Sequence, residues 1–274
     1  MTKGICNLMV FALLLAGCRE QSAEQFVAKP APVRFAQAEA SPLEHGERLA
    51  YVLGCIGCHG EDLAGQDWSE PGFARLWTAN LTRAVPRYTD DQLAKVIASG
   101  AHPDGTPLWE MPSHLFTALA PEDMAALILF LRSRPPTGVA HPAPRLDEGA
   151  RREIAAGLWK SSRDRVREEG ALSPPDAGAG HALGRHIVRA TCAECHGMDL
   201  RGGEPHPGAA ARPDLRMVAG YEREDFRHLL RTGVAAGGRE VGLMSEVARG
   251  RYNHLTDDEI DAVHAYLQAV GSQP

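Results

Sequence analysis

The sequence predicts a mostly α-helical protein built from two tandem copies of one domain, joined by a linker that carries a helix of its own. Three observations lead there. Residues 55–65 and 192–202 are near repeats, apolar residues recur at helical spacing behind capping signals, and alternating strand patterns are almost absent. Composition agrees: 274 residues suffice for two domains of ordinary size, and 44% apolar with 23% charged content excludes a fully disordered chain. Aromatics make up only 6%, while 28 Gly and 19 Pro favour small helical units with many turns. With 29 Lys+Arg against 35 Asp+Glu, a net −6 and no basic run, the chain is a poor nucleic-acid binder.

Residues 1–18 read as a targeting segment. Lys3 supplies a positive start, Leu8 to Ala16 form an apolar run too short to span a bilayer, and Leu15-Ala16-Gly17-Cys18 closes it. This resembles the bacterial lipoprotein signal, which implies lipidation at Cys18 and stable anchoring by several acyl chains. Arg19 stands where inner-membrane retention favours Asp, so the outer membrane is the expected destination. Residues 19–43, rich in Ala, Gln, Glu and Pro without periodicity, are expected to be a flexible tether of roughly 80–90 Å when extended.

The first copy is placed at 44–134. Its opening helix is predicted from about Glu44 to Leu53. A middle helix starts at the capping box Thr89-Asp90-Asp91-Gln92 and carries Leu93, Val96 and Ile97 on one face. A last helix begins after Pro121. Residues 135–179 form the linker, whose Pro135-Pro136, Pro142 and Pro144 precede a charged stretch from Asp147 to Glu169. Ile154, Leu158 and Trp159 give that stretch an apolar side. The second copy, 180–274, repeats the plan. Its helices run from about His181 to Thr191, around Phe226, Leu229 and Leu230, and from the capping box Thr256-Asp257-Asp258-Glu259. Ile260, Val263, Ala265 and Leu267 are the expected apolar side of the last one.

Four cysteines remain beyond the targeting segment, in Cys55-Ile56-Gly57-Cys58-His59 and Cys192-Ala193-Glu194-Cys195-His196. This pattern is that of c-type haem attachment. Two thiols two residues apart can add to the two vinyl groups of one haem, and the adjacent histidine then lies under the iron. A zinc ribbon would need its Cys pairs about 15–20 residues apart, and a thioredoxin-like pair would need a βαβ context. Local disulfides would leave the histidines unexplained.

Both copies resemble class I cytochrome c domains, and the whole resembles di-haem bacterial cytochromes c. The resemblance rests on the two motifs, on Gly46 and Gly184 in the first helices, on Phe130 and Tyr266 in the last, and on methionines at equivalent places. It implies that each last-helix aromatic packs on the first-helix glycine. It also implies that the regions of Pro71-Gly72 and Pro207-Gly208 receive the second N–H of His59 and His196. The haem irons are then expected to have His59 with Met111, and His196 with Met244, as axial ligands. Each methionine lies eleven residues after a glycine, Gly100 or Gly233, and Pro112 follows Met111. Met124 and Met198 are read as filler or as wrongly placed, and Met217 as the competitor to Met244. His102, His114 and His254 are alternatives expected as solvated loop residues, and the four tryptophans are expected to pack rather than react.

His/Met ligation raises the potential and fills the coordination sphere. The expected function is therefore one-electron transfer by a non-enzymatic carrier with two covalent haem c groups, on the periplasmic side of a bacterial membrane. Expected partners are a quinol oxidoreductase or periplasmic dehydrogenase and a terminal oxidase or reductase. The alternative is a di-haem peroxidase, which would need an open iron position.

Overall fold

A computed structural model describes Met1 and residues 32–204 and 209–273 of the chain. Cys18 with its neighbouring signal residues, the tether residues 19–31 and Pro207-Gly208 lie outside the described residues.

Ser41 opens the first helix, α1 (Pro42–Val52): its Oγ accepts from Glu44 N, and Pro42 occupies the first turn, where no N–H is missed. Gly54, at φ +83°, turns the chain into the short α2 (Cys55–His59). After α3 (Leu81–Ala84), the Thr89–Gln92 capping box starts α4 (Asp90–Ser99), which buries Leu93, Val96 and Ile97. Next come α5 (Ser113–Phe116) and α6 (Pro121–Ser133), the latter with Pro121, Glu122 and Asp123 in its first turn. Two antiparallel residue pairs, β1 (Ala74–Arg75) and β2 (Arg145–Leu146), tie the following linker back to the first copy.

The linker holds two helices, α7 (Glu148–Ala155) and α8 (Ser162–Glu169), where one amphipathic helix was expected. Gly157, at φ +71°, breaks the run. Its expected apolar side is corrected accordingly. Ile154 and Leu158 are exposed, Ala150 is the residue α7 buries, and Trp159 turns back to stack on Trp109 at 4.2 Å and tilt against Phe73.

The second copy runs through α9 (Ala182–Ala190), α10 (Ala193–His196), α11 (Arg223–Thr232), α12 (Leu243–Gly250) and α13 (Asp257–Gly271). A small hairpin pairs β3 (Val234–Ala235) with β4 (Arg239–Glu240). The capping box Thr256–Glu259 opens α13, which buries Ile260, Val263, Tyr266 and Leu267. Ala265 is exposed, contrary to expectation. It lies five residues beyond Ile260, about 140° around the helix and off the stripe set by steps of three and four.

In each copy the first helix crosses the last at a glycine. A Cβ on Gly46 would lie 1.9 Å from Ala126 O and 3.0 Å from Phe130 Cβ; one on Gly184 would lie 2.1 Å from Ala262 O and 2.6 Å from Tyr266 Cβ. The backbones therefore touch, with Phe130 and Tyr266 closing the crossing.

Residues from both copies share one hydrophobic core within the compact unit Pro32–Pro274. A polar network reinforces it. Arg48 of α1 donates through Nη1 to Glu259 Oε2 of α13 at 2.8 Å, and Glu259 is fully buried. Arg189 of α9 reaches the backbone carbonyls of His114 and Leu115 in the first copy. The segment 32–41, expected as part of a flexible tether, is instead built into this junction. Phe35 is 1% exposed, edge-on to His186, with its N–H donated to Asp123 Oδ2; Ala36 N donates to Glu259 Oε1. One aromatic among polar neighbours finds a site that exists only where the two copies meet.

His114 is likewise not a solvated loop residue. It is 1% exposed beneath α8, with Arg165 Nη2 3.1 Å and Glu169 Oε2 3.6 Å from its Nε2. Burial first, then the charges of Arg165 and Arg189, push its pKa down to about 3. His102 accepts or donates at Tyr88 Oη over 2.8 Å, and His254 stacks on Tyr51 at 4.1 Å.

Two outcomes follow from this packing. Glu259→Ala removes the fully buried carboxylate that pairs with Arg48, leaving Glu39 as its remaining acidic partner, and should lower the stability of the haem-loaded protein by about 2–3 kcal/mol, read by urea unfolding. The unfolded chain binds a proton at His114 near pH 6.5 and the folded chain does so only near pH 3. Its contribution is therefore whole above pH 6.5 and lost as the pH falls towards 3. Wild type should lose more stability between pH 7 and pH 4.5 than His114→Gln does, measured by the shift in urea midpoint.

Candidate haem-binding sites

The two Cys-x-x-Cys-His segments are each held as one short helical turn behind a first helix. In α2, Cys55 and Cys58 stand one turn apart and His59 ends the helix; Cys192 caps α10, which carries Cys195 and ends at His196. All four thiols are free and partly buried. Burial pushes the Cys55 thiol up to about 12 and raises the other three, so all are held protonated at neutral pH.

The loop after each histidine has the same build in both copies. Gly60 and Gly197 leave the helix at φ +84° and +75°, and the buried Leu63 and Leu200 both take positive φ. The histidine carbonyls accept from Gly65 N at 2.8 Å and Gly202 N at 2.9 Å, while Asp62 and Asp199 accept from the backbone two residues on. Leu63 O and Leu200 O then accept from Leu81 N and Leu215 N, each at 2.8 Å. These bonds clamp a returning strand of chain beside the imidazole. Its carbonyls receive the rings: Ala79 O lies 2.8 Å from His59 Nδ1, and Pro213 O lies 2.8 Å from His196 Nδ1.

The acceptors are therefore Ala79 and Pro213, not the Pro71-Gly72 region expected for His59. A carbonyl can only accept, so Nδ1 carries the proton and Nε2 is left as a lone-pair donor for a metal. Burial lowers both histidine pKa values, only partly opposed by these bonds, and keeps the rings neutral. Paired protonated thiols beside an oriented neutral imidazole are the donor set a c-type haem requires, and the fit holds in both copies. Among the described residues, no group of three or more His, Cys, Asp or Glu side chains could enclose a metal ion by itself.

Met111 and Met244 are both partly buried against the hydrophobic core. Their glycine markers are equivalent: Gly100 ends α4 and Gly233 ends α11, both in the left-handed conformation. The methionines themselves differ in setting. Met111 precedes α5 behind Glu110, at φ +62°, whereas Met244 lies in the first turn of α12. Met217 is 53% exposed, Met124 is buried in α6, and Met198 packs partly buried two residues beyond His196. Trp109 and Trp159 pack together on the linker side, and Trp68 is 39% exposed.

Sequence reasoning missed Ala79 and Pro213 because their role belongs to the backbone, and the two side chains differ. The available signal was register, since 79 and 213 are 134 residues apart, between the 137 that separate Cys55 from Cys192 and the 133 that separate Met111 from Met244.

A family model described as cytochrome c matches residues 43–135 and 181–271, over half the chain. The chain is 25% identical to the fructose dehydrogenase cytochrome subunit of Gluconobacter japonicus, over 96% of this chain and 58% of that protein. It is 23% identical to the gluconate 2-dehydrogenase cytochrome c subunit of Pantoea cypripedii, over 86% of this chain and 61% of the relative. It thus spans less than two thirds of either. A diheme cytochrome c-type protein of Cereibacter sphaeroides is 28% identical over 82% of this chain and 84% of its own length. With two family matches over most of the chain and two attachment motifs of one geometry, the chain belongs to the cytochrome c family.

Proposed function

We propose that this chain is a lipid-anchored periplasmic cytochrome that relays single electrons from a membrane-bound dehydrogenase to a respiratory acceptor. The observation that carries the reading is the doubled histidine geometry, with one ring nitrogen anchored to a backbone carbonyl and the other kept neutral for iron. When bound, each haem supplies the one-electron couple. The protein's part is attachment and orientation. Cys55 with Cys58, and Cys192 with Cys195, would form the thioethers. His59 and His196, whose ring planes are set by Ala79 O and Pro213 O, would ligate the irons, with Met111 and Met244 as the second ligands. The buried apolar residues around the motifs exclude water and favour the reduced state.

The names of the relatives favour a sugar or sugar-acid dehydrogenase as donor; a quinol oxidoreductase is the other donor class, and a terminal oxidase or reductase the acceptor. A net charge of −6 suits docking to basic surfaces. Among the described residues no helix is long and apolar enough to cross a membrane. Anchoring is assigned to Cys18, with the outer membrane as destination because Arg19 replaces the retention Asp.

A pyridine haemochrome of the purified, haem-loaded protein should give two haems per chain, both low-spin, with a methionine–iron band in the oxidised spectrum. Met111→Ala and Met244→Ala should each remove about half of that band and lower one potential. A high-spin, peroxide-reactive haem in the wild type would transfer the case to the peroxidase reading. Cys18→Ser should move the protein from the membrane fraction to the soluble periplasm with both haems in place; retention in the membrane would refute the anchor.

A further inference from the structure

One charged side chain joins the two attachment motifs. Arg251, just beyond α12 in the second copy, is only 14% exposed. Its Nε donates to Val52 O of the first copy at 3.3 Å, and its Nη1 donates to Glu194 Oε2 at 2.7 Å. Glu194 lies between Cys192 and Cys195 of the second motif. The guanidinium covers the turn that opens the first motif: a Cβ on Gly54 would stand 2.8 Å from Arg251 Cζ. Its Nη2 is buried without a hydrogen-bond partner among the described residues.

Arg251 therefore touches both attachment segments at once, the turn before Cys55 through Val52 O and Gly54, and the second motif through Glu194. The two motifs thus face one another across a single ion pair.

Resting on the two-haem reading above, we propose that the fixed charge of Arg251, held between the two attachment motifs, sets the potentials of both haems together. Reduction would add one negative charge at either haem. A buried cation beside both motifs would favour the reduced form of both, and Glu194 would oppose it.

The test is a spectroelectrochemical titration of both haems in the full, haem-loaded chain, with the haemochrome as a count. Arg251→Gln should lower both potentials, each one-electron equilibrium changing by roughly threefold, about 28 mV at 59 mV per tenfold. Arg251→Lys, which keeps the charge, should restore both, a rescue that a merely structural role would not produce. Glu194→Gln should raise both, and decides the matter alone if Arg251→Gln does not fold. A shift confined to one haem, or absent from both, overturns the proposal while the carrier reading stands. Fewer than two haems in the wild type overturns both.

Discussion

Everything in this molecule is referred to two places where helix backbones touch. At Gly46 and Gly184 there is no room for a β-carbon, because the carbonyls of Ala126 and Ala262 occupy that space. The crossing angle and height of the first helix on the last are set by this contact. Two residues separate the end of α1 from Cys55, and one separates the end of α9 from Cys192. The thiols and the histidines therefore inherit their positions from the crossing, with almost no intervening chain to absorb an error. Phe130 and Tyr266 pack, buried, over the same contacts.

The histidine bonds translate this packing into chemistry. A neutral imidazole with a determined tautomer needs an acceptor at a fixed place, and in both copies that acceptor is a main-chain carbonyl. The carbonyl is held by a loop whose glycines and left-handed leucines let it double back under the ring. This is why the repeat Cys-His-Gly-x-Asp-Leu-x-Gly extends past the histidine in both copies. The residues beyond the motif build the wall that aims it.

The two copies are not beads on a string. Segment 32–41, Arg48, Arg189 and Arg251 each cross from one copy to the other, and each crossing ends on a buried carboxylate or a backbone carbonyl. Breaking such a contact strands a charge or a donor away from water, which makes separation of the copies costly. A shared core with charged fasteners keeps both motifs in one frame.

Spacing along the chain alone determined the chemistry of attachment and the helical plan. Two residues between thiols and a histidine behind them are local geometry, as are Thr89 with Gln92 and Thr256 with Glu259, whose bonds span three residues. Such short-range relations survive in any fold and can be read before it is known. Tertiary structure decided the rest. Arg48 and Glu259 are 211 residues apart, and Arg251 reaches Val52 across 199; nothing in their neighbours marks them as partners. Phe35 and His114 are buried only because distant elements close over them, and Ala79 and Pro213 act through atoms that every residue possesses. Side-chain identity specifies what a residue can bond to, but only the folded chain specifies what comes within reach.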